Sequence, residues 1–320
     1  MGCDQLREDL EICNIENMRY AQEIMNLLNS IVKVMSTAID ARTPYNANHT
    51  KNMVRYAEQF IAYLDATNNE WRFDKDQARE FLMCVWLHDV GKLVIPLGVM
   101  NKDNRLGYIR LTEVKHRLEK IDLLNRLSFA REDITAAEFL ERDEFLRNAK
   151  STIFMANEAG NLTEHVVERL EQIKTMTYLD IDGCEYSWLT DDEMECLKIP
   201  GGTLSPEERE VIKSHVNMTE KLLDEVAFPD KFKNVARWAS MHHELLNGNG
   251  YPRGLKGEDI DREVRLLTIL DVFEALTAMD RPYKAPMPIK DAIGVLDKMA
   301  NAGEIDKEIL ELFKSSKAWV

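Results

Sequence analysis

The segment FLMCVWLHDVGK, residues 81 to 92, joins the longest unbroken apolar run of the chain to a histidine, a carboxylate and a lysine. Lys92 lies four residues after His88 and three after Asp89, so a helix extending this far would hold all three on one face. A carboxylate and a lysine at the end of an apolar run are unfavourable to bury unless they are paired or bind a metal. The segment therefore predicts a helix that ends at an interior polar site.

The rest of the chain has the same helical character. From residue 37 onward nearly every segment has apolar residues at helical spacing, and SPEE at 205 to 208 forms a capping box ahead of REVIKSH. Runs that alternate apolar and polar residues are scarce. We therefore predict an all-α fold.

Composition and charge exclude several classes of partner. The chain carries 41 basic and 56 acidic residues, a net charge of −15, which disfavours duplex DNA, duplex RNA and an anionic membrane surface. Its apolar runs are far shorter than the roughly 18 to 20 residues that cross a bilayer, so no membrane span is expected. Five cysteines without a CxxC pair argue against a disulfide framework or a thiolate zinc site, and they predict a cytoplasmic protein.

Residues 1 to 38 predict one long N-terminal helix. Ile24, Leu28, Ile31 and Met35 follow one another at alternating spacings of four and three, which is typical of a packing seam. Two interpretations stay open: the helix packs on its own domain, or it forms a two-chain coiled coil with a sensor or a second subunit. The second interpretation predicts a homodimer through this helix.

Two further segments carry polar groups in unusual settings. HHELLNGNGYPRG, at 242 to 254, sets two adjacent histidines before a loop of three glycines and a proline, which permits a close backbone approach to a ligand. Asp271 has apolar residues at the i−4, i−1, i+1 and i+4 positions of its predicted helix, unlike an aspartate that faces solvent. Pairing with an arginine or capping a neighbouring helix is the structural alternative for Asp271.

Seven side chains are candidate metal ligands. Five imidazoles and two carboxylates without a thiolate favour Fe or Mn over a structural zinc, and they exceed what one ion requires. Two divalent ions are a known solution for phosphoester hydrolysis. The candidates are His49, His88, Asp89, His215, His242, His243 and Asp271.

In this order the motifs resemble the HD-GYP phosphodiesterases, a branch of the HD metal-dependent phosphohydrolases. The resemblance rests on His49, HDVGK at 88 to 92, His215, HHE at 242 to 244, NGNGYPRGLKG at 247 to 257 and Asp271. It implies a helical bundle with a GYP extension that hydrolyses cyclic di-GMP to pGpG or GMP with a hydroxide activated by two metals. Another cyclic dinucleotide or nucleotide as substrate, and a non-catalytic cyclic di-GMP-binding module, are the alternatives.

The resemblance also implies residue roles. One metal would be held by His49, His88, Asp89 and Asp271, and Asp89 would bridge to a second metal held by His215, His242 and His243. Lys92 would act with Asp89 in catalysis, next to the scissile phosphate or the attacking water. The implied substrate-binding residues are Tyr251, Gly250, Arg281 and Lys284.

The sequence departs from the family pattern in three places, one of which is Asn247, where many members have aspartate. Some members bind a third metal through a glutamate where this chain has Tyr45, so two ions are expected. His88 and His215 are 127 residues apart (215 − 88), whereas the family passes between these motifs over a few tens of residues. We therefore predict a helical insertion at 103–200, between the two parts of a catalytic domain at 39–102 and 201–320.

Overall fold

The computed structural model describes residues 3–42, 48–158, 160–278 and 286–320. These residues are mostly helical, with one two-stranded antiparallel sheet, which confirms the predicted all-α class. The helices are α1 Cys3–Asp40, α2 His49–Ala66, α3 Lys75–Leu87, α4 Leu97–Met100, α5 Gly107–Ala130, α6 Ala136–Asn157, α7 Glu164–Lys174, α8 Asp191–Leu197, α9 Pro206–Lys213, α10 His215–Asp224, α11 Val235–Ala239, α12 Arg262–Thr277, α13 Ile289–Asn301 and α14 Lys307–Ser316.

The chain divides into two compact units. The first combines Met1–Ile95 with Lys213–Val320, and the second comprises Pro96–Ile212. The assignment of 103–200 as an insertion into a catalytic domain stays a prediction.

An aromatic cluster lies at the centre of the first unit. Phe273 of α12 has its ring centroid 5.7 Å from that of Tyr56 on α2 and 5.2 Å from that of Phe313 on α14. All three side chains are buried. Edge contacts of this kind add to the hydrophobic gain of burial, so the cluster fixes α2, α12 and α14 against one another.

The start of α3 is set by its capping residues. The Asp74 side chain accepts hydrogen bonds from the backbone N–H groups of Asp76 and Gln77, and the Gln77 side chain accepts one from the backbone of Asp74. This capping box satisfies donors that the first helical turn leaves without partners. The apolar run that follows is buried and ends at Leu87, immediately before His88.

The second unit has its own core, with Leu118, Leu146 and Ile153 buried between α5 and α6. Its two strands, β1 Thr177–Leu179 and β2 Glu185–Ser187, pair around a turn at Gly183, whose positive φ of 77° suits glycine. The sequence predicts a helix over 162 to 178, but α7 ends at Lys174 because the chain then enters this hairpin.

The N-terminal helix packs through a face different from the predicted one. Met25 and Val32 contact the core of the first unit, and Ile39 is buried in it. The predicted stripe of Ile24, Leu28, Ile31 and Met35 is instead 58%, 46%, 47% and 37% exposed.

Among the described residues, no helix is both long enough and apolar enough to cross a membrane.

Candidate metal centre

The end of α3 delivers His88 and Asp89 to the interior. The α-helix stops at Leu87, and residues Val90–Val94 form a 3₁₀ helix instead of continuing it. The spacing in the sequence predicts that Lys92 shares an α-helical face with His88, and this prediction is wrong because the α-helix has already ended. Nζ of Lys92 nevertheless lies 2.5 Å from Oδ2 of Asp89, because the 3₁₀ turn brings the two side chains together.

Three of the candidate ligands form a first ligand group: His49, His88 and Asp271. His49 is the first residue of α2, and its Nε2 lies 3.3 Å from Nε2 of His88 and 3.4 Å from Oδ1 of Asp271. The two imidazoles are buried and Asp271 is nearly so. These ligand atoms are close enough to hold one metal ion.

A second ligand group consists of His215, His242 and His243. His215 begins α10, and its Nε2 lies 3.3 Å from Nε2 of His242. His242 and His243 follow α11, which ends at Ala239, so the usual 100° offset between helical neighbours does not separate them. Their ring centroids are 4.1 Å apart, close enough for both rings to approach one ion.

Asp89 lies between the two groups. Its Oδ2 is 3.3 Å from Nε2 of His88 and 3.8 Å from Nε2 of His49. Its Oδ1 is 3.3 Å from Nε2 of His215 and 3.8 Å from Nε2 of His242. Each carboxylate oxygen thus faces a different ligand group.

The residues present fit a metal cation. Oδ1 of Asp89 is buried and accepts no hydrogen bond of acceptable geometry from any described residue. A buried carboxylate oxygen without a donor is costly, and a cation would satisfy it. The surrounding nitrogen and oxygen donors are those that Fe, Mn and Zn accept.

Two imidazoles are oriented by backbone carbonyls. Nδ1 of His88 lies 2.7 Å from the carbonyl oxygen of Val85, and Nδ1 of His242 lies 2.7 Å from that of Ala239. A carbonyl only accepts hydrogen bonds, so each Nδ1 carries the proton. The lone pair of each Nε2 therefore points into the site, as a metal ligand requires.

Glu274 orients His49 and was missed by the sequence analysis. Its Oε2 lies 2.5 Å from Nδ1 of His49, and its Oε1 accepts a hydrogen bond of 3.0 Å from Nδ2 of Asn52. Burial opposes protonation of His49, but the hydrogen bonds to Asp271 and Glu274 outweigh it and raise the His49 pKa to about 10. Binding of a cation at Nε2 of His49 would therefore release a proton. In metal sites, the ring nitrogen of a ligating histidine that does not contact the metal frequently hydrogen-bonds a carboxylate, which fixes the orientation of the ring.

Burial keeps two imidazoles of the second ligand group, those of His242 and His243, in the form that binds metals. It lowers the pKa of His243 to about 4, although the nearby Asp271 carboxylate acts in the opposite direction. Burial, together with the neighbouring His243 and His88 rings, also holds the pKa of His242 well below its usual value. Neutral imidazoles are the ones that coordinate metals.

Lys92 and Asp89 form a charged pair at the edge of the site. Burial acts against the charged form of Asp89, but Lys92 and His88 outweigh it and hold the Asp89 pKa well below its usual range. Burial likewise acts against the Lys92 ammonium, and Asp89 raises the Lys92 pKa. The Lys92 side chain keeps 22% of its surface exposed, so it presents a cation to solvent beside the ligand groups.

A glycine and a threonine bring α10 against the turn that follows Asp89. The backbone N–H of Gly91 donates to Oγ1 of Thr219, and that hydroxyl donates to the carbonyl of His88, at 2.9 and 3.0 Å. A Cβ at Gly91 would overlap the carbonyl of His215 and lie 2.6 Å from the backbone N of Thr219. This close approach is what places His215 beside Asp89.

Residues 247 to 257, which we call the GYP loop, are held in place by Glu244. Glu244 is part of the HHE motif, but the sequence alone predicted no role for it. The buried Glu244 carboxylate accepts hydrogen bonds from the backbone N–H groups of Arg253 and Leu255, at 2.7 and 2.9 Å. The Tyr251 backbone donates to the carbonyl of His243, and the two rings lie 4.8 Å apart. Tyr251 therefore lies beside the second ligand group.

Gly250 is needed for backbone packing. A Cβ there would lie 2.6 Å from both Cα of Glu244 and the carbonyl oxygen of His243. We expect Gly250→Ala to lower the free energy of unfolding by about 1–3 kcal/mol, measured by urea denaturation. The matched control is Gly294→Ala, because Gly294 lies within α13 with no atom near its Cβ position. That control should be neutral or slightly stabilising, and equal effects of the two variants would contradict this account.

Two predicted substrate-binding residues, Arg281 and Lys284, and Tyr45 at the third-metal position lie outside the described residues. Their roles stay predictions.

Parts of the chain are similar to known proteins. The model of the HD domain family matches residues 192–309. A 3′3′-cGAMP-specific phosphodiesterase of Vibrio cholerae is 37% identical over 115 residues, which are 36% of this chain and 24% of that protein. Another from the same organism is 40% identical over 78 residues, 24% of this chain and 18% of that protein. A cyclic di-GMP phosphodiesterase of Thermotoga maritima is 30% identical over 126 residues, 36% of this chain and 34% of that protein.

Residues 192–309 are therefore similar to the HD domain family, and the resemblance to the HD-GYP phosphodiesterases is confirmed. The matched segments span about a fifth to a third of the length of these relatives.

Proposed function

We propose that this protein is a metal-dependent phosphodiesterase that opens a cyclic dinucleotide, with cyclic di-GMP as the first candidate. The observation that carries the proposal is the position of Asp89, whose two oxygens face separate groups of imidazole and carboxylate ligands. Metal pairs bridged by a carboxylate are suited to in-line displacement at phosphorus. The names of the similar proteins support the substrate class.

We further propose two divalent ions, Fe or Mn. His49, His88, Asp89 and Asp271 would hold one ion, and Asp89 would also serve the ion held by His215, His242 and His243. When bound, such ions polarise the phosphoryl oxygens and lower the pKa of water toward neutrality.

The chain's own residues bind and orient the substrate. A phosphodiester is anionic, and Lys92 presents a fixed cation at the edge of the ligand groups, where it offsets charge on the phosphate. Nζ of Lys213 lies 5.7 Å from the Tyr251 ring centroid, so a second cation and an aromatic face lie on the side of His243. An aromatic face of this kind can stack a nucleobase.

The test is a substrate panel. Protein reconstituted with Mn²⁺ or with Fe²⁺ under anaerobic conditions is incubated with cyclic di-GMP, 3′3′-cGAMP and cyclic di-AMP, and the products are separated by chromatography. We expect the linear dinucleotide or mononucleotides from cyclic di-GMP. Intact substrates with every metal would overturn the proposal, and calorimetric binding without product would replace it by a binding module.

A second candidate substrate is 3′3′-cGAMP. It is favoured by the identity of 37% and 40% to two phosphodiesterases named as specific for that dinucleotide. In the same panel, faster hydrolysis of 3′3′-cGAMP than of cyclic di-GMP at equal concentration would select it.

A further inference from the structure

Helix α1 carries two apolar stripes. The first, formed by Met25, Val32 and Ile39, packs on the core of the first unit. The second, which we call the seam, is exposed, with Ile24, Leu27 and Val34 at 58%, 61% and 68%. The seam follows a spacing of four, three, four, three and four residues and consists of Tyr20, Ile24, Leu27, Ile31, Val34 and Ala38.

We propose that the seam pairs with the seam of a second copy of this chain in a parallel two-stranded coiled coil. In the heptad repeat abcdefg, Ile24 and Ile31 occupy the positions labelled a, and Leu27 occupies a position labelled d. Isoleucine at a with leucine at d favours two parallel strands. Asn17 occupies the preceding a position, and an asparagine there specifies two strands in register.

The seam is accessible while α1 stays on its own domain. Ile24 adjoins Met25, and Ile31 adjoins Val32, so these two seam residues point about 100° away from their neighbours in the packed stripe. A partner helix can therefore cover the seam without displacing Met25 or Val32 from the core.

The area is sufficient for a stable pair. The seam residues together with Leu28 and Met35, which flank it, leave roughly 100 Å² exposed on each of about seven large side chains, so two helices bury on the order of 1,400 Å². This lies within the ~1,200–2,000 Å² of standard specific interfaces. Single exposed apolar residues are normal on a protein surface, whereas a contiguous exposed apolar stripe of this length indicates an interaction surface.

The same helix reaches the turn of the candidate metal centre. Arg42, just after the end of α1, donates hydrogen bonds to the carbonyls of Lys92, Leu93 and Ile95. The coiled coil would therefore link a second subunit to the turn that carries Lys92. Only the meaning of this link rests on the proposed phosphodiesterase function, and the pairing itself does not.

The first experiment measures mass by light scattering over a concentration series of the full chain. We expect twice the chain mass of 37.0 kDa. Ile24→Glu with Ile31→Glu places charges at two a positions and should halve the mass. The matched control Ile15→Glu changes an isoleucine that is 62% exposed on α1 but off the seam, and should leave the mass unchanged. A monomeric wild-type chain, or a dimer that survives the double substitution, would overturn the proposal.

The second experiment tests the parallel register. Cys13 is exposed and occupies a d position of the same heptads, so it would face Cys13 of the partner subunit. Diamide should then oxidise the two thiols to one disulfide, seen as a covalent dimer on a non-reducing gel. Every variant also carries Cys3→Ser, because Cys3 falls at an a position of the same heptads; in this background Cys13→Ser should abolish the product, and Cys184→Ser, at another exposed cysteine, should not. A dimer by light scattering without the Cys13 product would overturn the parallel arrangement. Neither readout requires activity, so failure here is distinguishable from failure of the phosphodiesterase proposal.

Discussion

Asp89→Asn is expected to lower cyclic dinucleotide hydrolysis by a factor of about 1,000 or more and to deplete bound metal. The substitution keeps the size of the side chain but removes the charge that both ligand groups face. Loss of metal-based charge stabilisation worth several kcal/mol corresponds to about a thousandfold in rate. The measurements are initial rates by chromatography and metal content by mass spectrometry.

The matched control for Asp89 is Asp122→Asn. Asp122 lies on α5, is partly exposed and pairs with Arg126 one helical turn away. Exposed pairs of this kind contribute little, so rate and metal content should stay at the wild-type level. The thermal unfolding temperatures of both variants show whether a lower hydrolysis rate reflects loss of the metal centre or loss of the folded structure. An Asp89→Asn variant with full metal content and full rate would contradict the proposed role.

Several metal-centre candidates could be predicted from the sequence because they have a local signature, whereas His49 and His215 have none and were named from the pooled histidines and the motif order of the family. His88 and Asp89 end an apolar run, and Asp271 has apolar neighbours at the i−4, i−1, i+1 and i+4 positions, so an interior setting for these polar groups can be predicted without tertiary structure. The structure brings them within ligand distance of His49 and the second ligand group.

Glu274 and Glu244 lack such a signature because their partners are distant or are backbone groups. Glu274 contacts His49, 225 positions earlier in the chain. Glu244 accepts from two backbone N–H groups, which every residue except proline offers. Glu274 does lie three residues after Asp271 on the same helix, and that spacing was the available clue.

The packed face of α1 could not be chosen from periodicity. The stripe from Ile24 to Met35 and the stripe through Met25, Val32 and Ile39 have the same alternating spacing. The second stripe includes the polar Asn29 and Ser36 and therefore looks less apolar, yet Ser36 is buried. Which stripe packs depends on the surface that α2 and α3 present, and that surface is a tertiary property.

His215→Ala is expected to reduce the bound metal from two ions to one per chain and to lower the hydrolysis rate by at least about a hundredfold. His215 contributes to the second ligand group alone, so the first ligand group keeps its internal contacts and its contact with Oδ2 of Asp89. An ion that has lost one of its few ligands binds weakly, because metal affinity depends on ligand number and geometry. Metal stoichiometry by mass spectrometry after gel filtration measures the loss directly.

His116→Ala is the matched control, since His116 lies in α5 of the second unit and belongs to neither ligand group. It should retain both ions and the wild-type rate. His49→Ala is the reciprocal variant, and it should lose the other ion, with His215, His242 and His243 still in place. Because Asp89 is the ligand proposed to serve both ions, the single histidine variants should each keep one ion, whereas Asp89→Asn should weaken both. Retention of two ions in both histidine variants would contradict the two-group arrangement.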